Sequence, residues 1–211
     1  EESEHEARLA LDALDACLPQ IDALQLRVKA GDASHARALF TWGTRVLDLL
    51  AARPHRDLPL FVNDRVDVAL ALADELAARG LTERHPLGVH LGQGDLPPAE
   101  AREQLGPAAL LGLSTHDFAQ VVRAGEEPVD TLGFGPVFPT TTKGYERGVG
   151  PDRAWLADQA TTLTVWPIGG IDPGSAGQLG PVGRAAVSSA VLADADPGRA
   201  ATRLRAALGT G

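Results

Sequence analysis

Methionine is absent from this 211-residue sequence, cysteine occurs once, and aromatic side chains make up only 4% of it. Each shortage excludes something. A lone Cys17 can build neither an intrachain disulfide framework nor a thiolate zinc site, which fits a reducing, cytoplasmic setting. No Met means no initiator, and Glu1-Glu2-Ser3-Glu4 lacks the basic and apolar regions of a signal peptide, so the chain is expected to be trimmed at its N-terminus. No uninterrupted apolar stretch approaches the ~20 residues that span a bilayer, so a membrane protein is excluded. Basic residues are in deficit: 19 Lys and Arg against 28 Asp and Glu leave a net charge of −9. Without a basic run there is no electrostatic footprint for a phosphate backbone, and nucleic acid is not an expected partner.

What is present is a globular composition, 44% hydrophobic and 22% charged, in a chain of the length of one domain spanning residues 1–211. Seven short apolar runs read as strands: Ala23 to Val28, Leu60 to Val62, Leu87 to Leu91, Ala109 to Leu113, Thr131 to Phe134, Leu163 to Ile168 and Ala185 to Val191. Between them lie Ala-, Leu- and Arg-rich stretches with apolar positions three and four apart: His35 to Ala52, Val66 to Arg79, Ala99 to Leu105, Phe118 to Ala124 and Asp152 to Ala160. A helical pattern opens the chain at Glu4 to Leu18 and another closes it at Pro197 to Leu208.

Strands alternating with helices imply right-handed parallel crossovers, and runs this apolar belong in a sheet covered by helices. The class is α/β. Eight helical segments with seven strands fit a (β/α)8 TIM barrel whose first strand is missing from the chain, although Ile171 to Pro181, rich in Gly and Pro, reads as mostly loop. The missing strand is expected just before Glu1.

In such a barrel the chemistry sits where strands pass into βα loops. The first visible strand ends in Gln25-Leu26-Arg27-Val28-Lys29, whose alternation points Gln25, Arg27 and Lys29 to one side, either the barrel mouth or a solvated basic edge. The next two strands run into Asn63-Asp64-Arg65 and His90-Leu91-Gly92-Gln93-Gly94-Asp95. Asp64 and Asp95 are thus carboxylates at neighbouring strand exits. They suit Mg²⁺ completed by water and substrate phosphate, or else they serve as helix caps or turn residues.

Ser114-Thr115-His116-Asp117 follows the fourth strand without a G-x-S-x-G elbow, so a hydrolytic triad is not expected. Ser114 is a ligand contact, or Ser114 or Asp117 caps the next helix. Gly133-Phe134-Gly135-Pro136-Val137-Phe138-Pro139-Thr140-Thr141-Thr142-Lys143-Gly144 offers N–H, O–H and ammonium donors to an anion, without the Walker A spacing of a nucleotide triphosphatase. After the sixth visible strand, the seventh of a complete barrel, comes Ile168-Gly169-Gly170-Ile171, and Ser188 and Ser189 lie on the last strand; the loops after these two strands are where barrels often hold phosphate.

Taken in order, Gln25 to Lys29, Asn63 to Asp67, Gly88 to Gln93, Ser114 to His116, Gly133 to Lys143 and Ile168 to Ile171 resemble the motifs of thiamine-phosphate synthases, from about Ile21 to Val191. The resemblance implies a transferase that joins hydroxymethylpyrimidine diphosphate to thiazole phosphate, giving thiamine phosphate and pyrophosphate. It implies that Gln25, Arg27, Lys29, Asn63, Ser114 and Lys143 hold the pyrimidine diphosphate, that Asp64 and Asp95 bind Mg²⁺, and that Thr140, Thr141, Thr142, Gly170, Ser188 and Ser189 lie against the thiazole phosphate. Of these, Arg27, Lys29, Ser114 and Lys143 are expected to act on the reacting diphosphate. A homo-oligomer is compatible with the sequence.

Three departures stand out: the absent first strand, Gly94 in place of an acidic residue before Asp95, and extra residues within Asp74 to Pro86. Two other readings remain at this point. One is the thiazole tautomerase branch of the same superfamily, which uses a histidine at a place like His116 and tends to lose the acidic pair and the Thr-rich loop. The other is a non-catalytic phosphate-binding barrel, to which the missing strand would point.

Overall fold

The structure is a computed structural model that describes residues 2–28, 34–53, 57–140 and 147–209. Among these, six short strands alternate with helices in an α/β arrangement: β1 Leu24–Leu26, β2 Leu60–Asn63, β3 Leu87–Leu91, β4 Leu110–Thr115, β5 Thr131–Phe134 and β6 Thr164–Pro167. Their hydrogen-bonded order follows the sequence from β1 to β6. The helices are α1 Glu2–Cys17, α2 Ser34–Ala51, α3 Val66–Ala78, α4 Pro98–Leu105, α5 Phe118–Ala124, α6 Pro151–Gln159, α7 Ser189–Leu192 and α8 Pro197–Ala207. None of the described helices is long and apolar enough to cross a membrane.

By packing, the chain divides into two compact units, Ile21–Leu113 and Glu1–Gln20 with Ser114–Gly211. In the first, β1 to β4 are parallel, with Gln25 opposite Phe61, Asn63 opposite His90 and Leu91 opposite Leu113. Leu60, Val62, Val89 and Leu91 are buried on the strands, and Leu39, Leu47, Leu50, Leu72 and Leu76 are buried on the helices. α2 packs on α3 because residue 43 is glycine: a Cβ there would lie 2.5 Å from Leu72 Cδ1. Arg79 at the end of α3 reaches Asp48 of α2 at 2.9 Å and Glu75 at 2.5 Å. The extra residues within 74–86 fall in the last turns of α3 and the connection to β3.

In the second unit β5 and β6 are parallel, and the Gly135 N–H donates to Thr115 O at the end of β4. α1 lies on α8, and a Cβ at Gly198 would come within 2.9 Å of Ala16 O. Cys17 is buried there, and loss of hydration raises its thiol pKa. The Arg184 guanidinium pairs with Asp158 of α6 and donates to Val165 O of β6 at 2.7 Å. Asp117 caps α5 by accepting from Gln120 N at 2.8 Å. Asp117→Ala is expected to cost about 1 kcal/mol, lowering the midpoint of thermal denaturation by about 2–4 °C.

Two expectations about the last third of the chain need correction. The run from Ala185 to Val191 forms one isolated bridge, Ile168 to Ala186, and then turns into α7, so Ser188 and Ser189 stand at a helix start rather than on a strand. The segment read as loop contains a 3-10 stretch, Ala176–Val182, broken at Gly180, whose φ is 55°. Pro181 supplies no N–H, which is the physical reason that this stretch does not continue as α-helix.

Candidate functional site

Within Ile21–Leu113 the site residues sit at the ends of adjacent strands. Gln25 on β1 faces Phe61 in the register, and Asn63 is two residues further along β2, so period-two alternation puts Gln25 and Asn63 on one side of the sheet. Their side chains meet: Gln25 Nε2 donates to Asn63 Oδ1 at 3.0 Å, and Asn63 Nδ2 donates to Asp64 Oδ2 at 2.5 Å.

Asp64 is the one non-glycine residue among those described with a positive φ, 64°. This conformation costs an L-residue of order 1–2 kcal/mol, least for Asp and Asn, and such costs cluster at functional positions. The Asp64 N–H donates to His90 O at 2.9 Å, which anchors the turn to β3. Its helix-cap alternative does not hold, since the cap position of α3 belongs to Arg65 and carries no side-chain capping bond. Arg65 instead grips Asp67 through two bonds of 2.8 and 2.5 Å, which hold the Asp67 carboxyl below the usual carboxylate range.

Asp95 lies beyond β3 in a turn, where its Oδ2 accepts from the Gly92 N–H at 2.6 Å. The turn role is therefore met, and the cap of α4 is Pro97. Asp95 and Arg27 are exposed, and Lys29 lies outside the described residues. No cluster of three or more His, Cys, Asp or Glu among the described residues could hold a metal. Asp64 and Asp95 stand after adjacent strands, β2 and β3, and their carboxylate oxygens are the ligand type of a hard ion that keeps several waters, as Mg²⁺ does, rather than of a thiolate or imidazole metal.

In the other unit Ser114 is the half-buried penultimate residue of β4, and Thr115 Oγ1 donates to Gly133 O at 2.9 Å. His116 Nδ1 lies 2.7 Å from Gly135 O. A carbonyl only accepts, so Nδ1 carries the hydrogen and Nε2 of the neutral ring is an acceptor. The segment after β5 is held on both sides: Val137 N and Phe138 N donate to Ile168 O and Gly169 O at 2.9 and 3.0 Å, while Val149 N and Gly150 N donate to Pro136 O and Val137 O at 2.8 and 2.9 Å.

This close approach requires bare backbone. A Cβ at Gly170, whose φ is 66°, would lie 2.4 Å from Pro139 O. Thr140 is half-buried at the end of this segment, and Gly170, Ser188 and Ser189 are exposed. Thr141, Thr142 and Lys143 lie outside the described residues.

One contributor escaped the sequence reading. Asp172 Oδ1 accepts from Gly174 N and Ser175 N at 2.8 Å each, holding the turn that follows Gly170. Asp172-Pro173-Gly174-Ser175 is a turn sequence with this mechanism, and that signal was available.

Comparison with known proteins addresses the chemistry. The chain matches the family model described as thiamine monophosphate synthase over residues 1–191. It is 40% identical over 196 residues to the thiamine-phosphate synthase of Mycobacterium sp. (strain KMS), covering 89% of this chain and 80% of the relative. Against that of Vibrio campbellii the identity is 37% over 177 residues, covering 82% of this chain and 78% of the relative. The thiamine-phosphate synthase of Synechococcus sp. (strain CC9605) is 41% identical over 147 residues, but the chain spans only 38% of its length. Among solved structures, a thiamine phosphate pyrophosphorylase from Pyrococcus furiosus superposes with a TM-score of 0.75 at 28% identity, covering 94% of this chain and 89% of that one. The chain therefore belongs to the thiamine monophosphate synthase family of transferases.

Proposed function

We propose that this chain couples hydroxymethylpyrimidine diphosphate to thiazole phosphate by a dissociative substitution assisted by Mg²⁺, releasing pyrophosphate and forming thiamine phosphate. The observation that carries the reading is Asp64, held at a φ of 64° and bonded by Asn63 at the exit of β2, on the strand next to the one that leads to Asp95. Asp64 and Asp95 would hold the ion, which when bound supplies positive charge to the diphosphate leaving group.

The chain's own part is to bind, orient and stabilise. Arg27, Lys29 and Lys143 supply positive charge toward the diphosphate, with Ser114 as a further donor. Cationic groups placed where negative charge grows lower the barrier to C–O cleavage, because the departing pyrophosphate carries that charge. The aminopyrimidine delocalises the cation left behind, and the thiazole nitrogen captures it. No nucleophile or strong general base is then needed, and holding the two substrates in line supplies much of the remaining acceleration. Gly170, Ser188 and Ser189, with Thr140, Thr141 and Thr142, would take the thiazole phosphate on backbone N–H and hydroxyl donors.

A complete (β/α)8 barrel in one domain belongs to the same proposal, supported by sequential parallel strands within the unit 21–113 and by β5 and β6 in the other. The presence of both carboxylates favours synthase over tautomerase. The test is incubation of the protein with both substrates and Mg²⁺, scoring thiamine phosphate and pyrophosphate in equal amounts. Isomerisation of the thiazole phosphate alone, with no pyrophosphate, would assign the tautomerase activity instead, and binding without turnover would leave a phosphate-binding barrel.

A further inference from the structure

The peptide of Gly135 meets the last residue of β4, since its N–H donates to Thr115 O at 3.1 Å. In a parallel ladder, where the bonds are evenly spaced, the Gly135 carbonyl would next accept from the N–H of residue 117. β4 ends at Thr115, however, and Asp117 is already the cap of α5. The imidazole of the residue between them takes that place: His116 Nδ1 donates to Gly135 O at 2.7 Å. Two consecutive residues at one strand exit thus hold both polar groups of Gly135. His116 is anchored in turn, because its own N–H donates to Gln120 Oε1 at 2.7 Å.

Residues 136–140 follow, and they lie close against residues 168–170. Val137 N and Phe138 N donate to Ile168 O and Gly169 O at 2.9 and 3.0 Å. A Cβ at Gly169 would lie 2.6 Å from Pro136 Cβ, and one at Gly170 would lie 2.4 Å from Pro139 O. The plane of the peptide between Gly135 and Pro136 decides the direction in which this segment leaves β5, and the bond from His116 to the Gly135 carbonyl fixes that plane. We propose that His116 is a positioning residue for the thiazole phosphate: through Nδ1 it holds Gly135, and so residues 136–140, against Gly170, and that substrate binds tightly only while this bond exists. The inference rests on the synthase reading, in which Thr140 and Gly170 meet the phosphate. Nδ1 is the atom that acts, and it carries a hydrogen here in the neutral ring and in the cation alike.

Three substitutions separate the two ring nitrogens. His116→Asn puts an amide nitrogen where Nδ1 stands, His116→Gln puts it one bond further out in the place of Nε2, and His116→Leu removes both. With both substrates and Mg²⁺ supplied, His116→Leu and His116→Gln are expected to raise KM for thiazole phosphate about tenfold, the order of one lost hydrogen bond. Their kcat and their KM for hydroxymethylpyrimidine diphosphate should stay within about threefold of the wild type, the mark of lost binding rather than lost chemistry. His116→Asn should bring KM for thiazole phosphate back to within about threefold. In the ligand-free protein, amide hydrogen exchange at Val137 and Phe138 should quicken about tenfold in the Leu and Gln variants and slow again in the Asn variant.

Wild-type KM and wild-type exchange in all three variants would overturn the proposal and leave the synthase reading standing. A fall in kcat of about 10² or more in the Leu and Asn variants but not in the Gln variant, the range of a lost acid or base, would overturn it by making Nε2 the acting atom. If melting curves show His116→Leu unfolded, the Asn and Gln variants decide between the same outcomes. Absence of product from the wild-type protein would overturn the synthase reading and the role in binding together, even where exchange follows the expected order.

Discussion

Asp64→Asn and Asp95→Asn should each lower the Mg²⁺-dependent rate by about 10²–10³, the loss seen when one preorganised electrostatic group is removed. Asparagine is the informative replacement because it leaves the local structure in place. At residue 64 it tolerates the φ of 64°, which alanine would adopt only under strain. At residue 95 an Asn carbonyl can still accept from the Gly92 N–H that Asp95 Oδ2 now takes. A lost rate in a protein that melts normally therefore reports the charge. The rate is measured against Mg²⁺ concentration beside the melting temperature of the same preparation. A rate near that of the wild type in Asp95→Asn would reduce Asp95 to its turn bond and sink the metal assignment.

Gly88→Ala should be the most damaging single methyl group in the unit 21–113. A Cβ there would sit 2.0 Å from Leu110 O and 2.6 Å from Leu110 C, and residue 88 is paired with Leu110 in the β3–β4 register. The obstacle is backbone held by a ladder, so no rotamer change relieves it. The cost is expected at the upper end of overpacking, about 3 kcal/mol or more, a fall in melting temperature of about 6–12 °C. Gly94→Ala is the control: nothing lies within 4 Å of its Cβ, and its melting should match the wild type. If the two alanine variants melt together, the strands separate more easily than this register implies.

The two predictions probe features of unequal legibility. β3 and β5 occupy Leu87–Leu91 and Thr131–Phe134, the same residues as the apolar runs in the sequence, because each run is short and bounded by residues that break regular structure. Asp117 likewise caps α5 from the position next to an apolar helical run, where a capping side chain is expected. The run from Ala185 to Val191 has the same composition but passes into α7 after one bridge. Apolar content alone does not distinguish a buried strand from a short buried helix, and the outcome depends on which backbone groups find partners.

The candidate site divides in the same way. Residue types and their order, with carboxylates after two successive strands and a Gly-, Pro- and Thr-rich stretch after a later one, were enough for a resemblance to the family to which the chain belongs. Whether Asp64 caps a helix and which neighbour the Gln25 side chain meets were undetermined. Gln25 and Asn63 are 38 residues apart in sequence, and only the pairing of β1 with β2 brings them together. Local sequence determines what a segment can hydrogen-bond; long-range register decides which partner it meets, and from that partner follow the side chain's direction and the strain at Asp64.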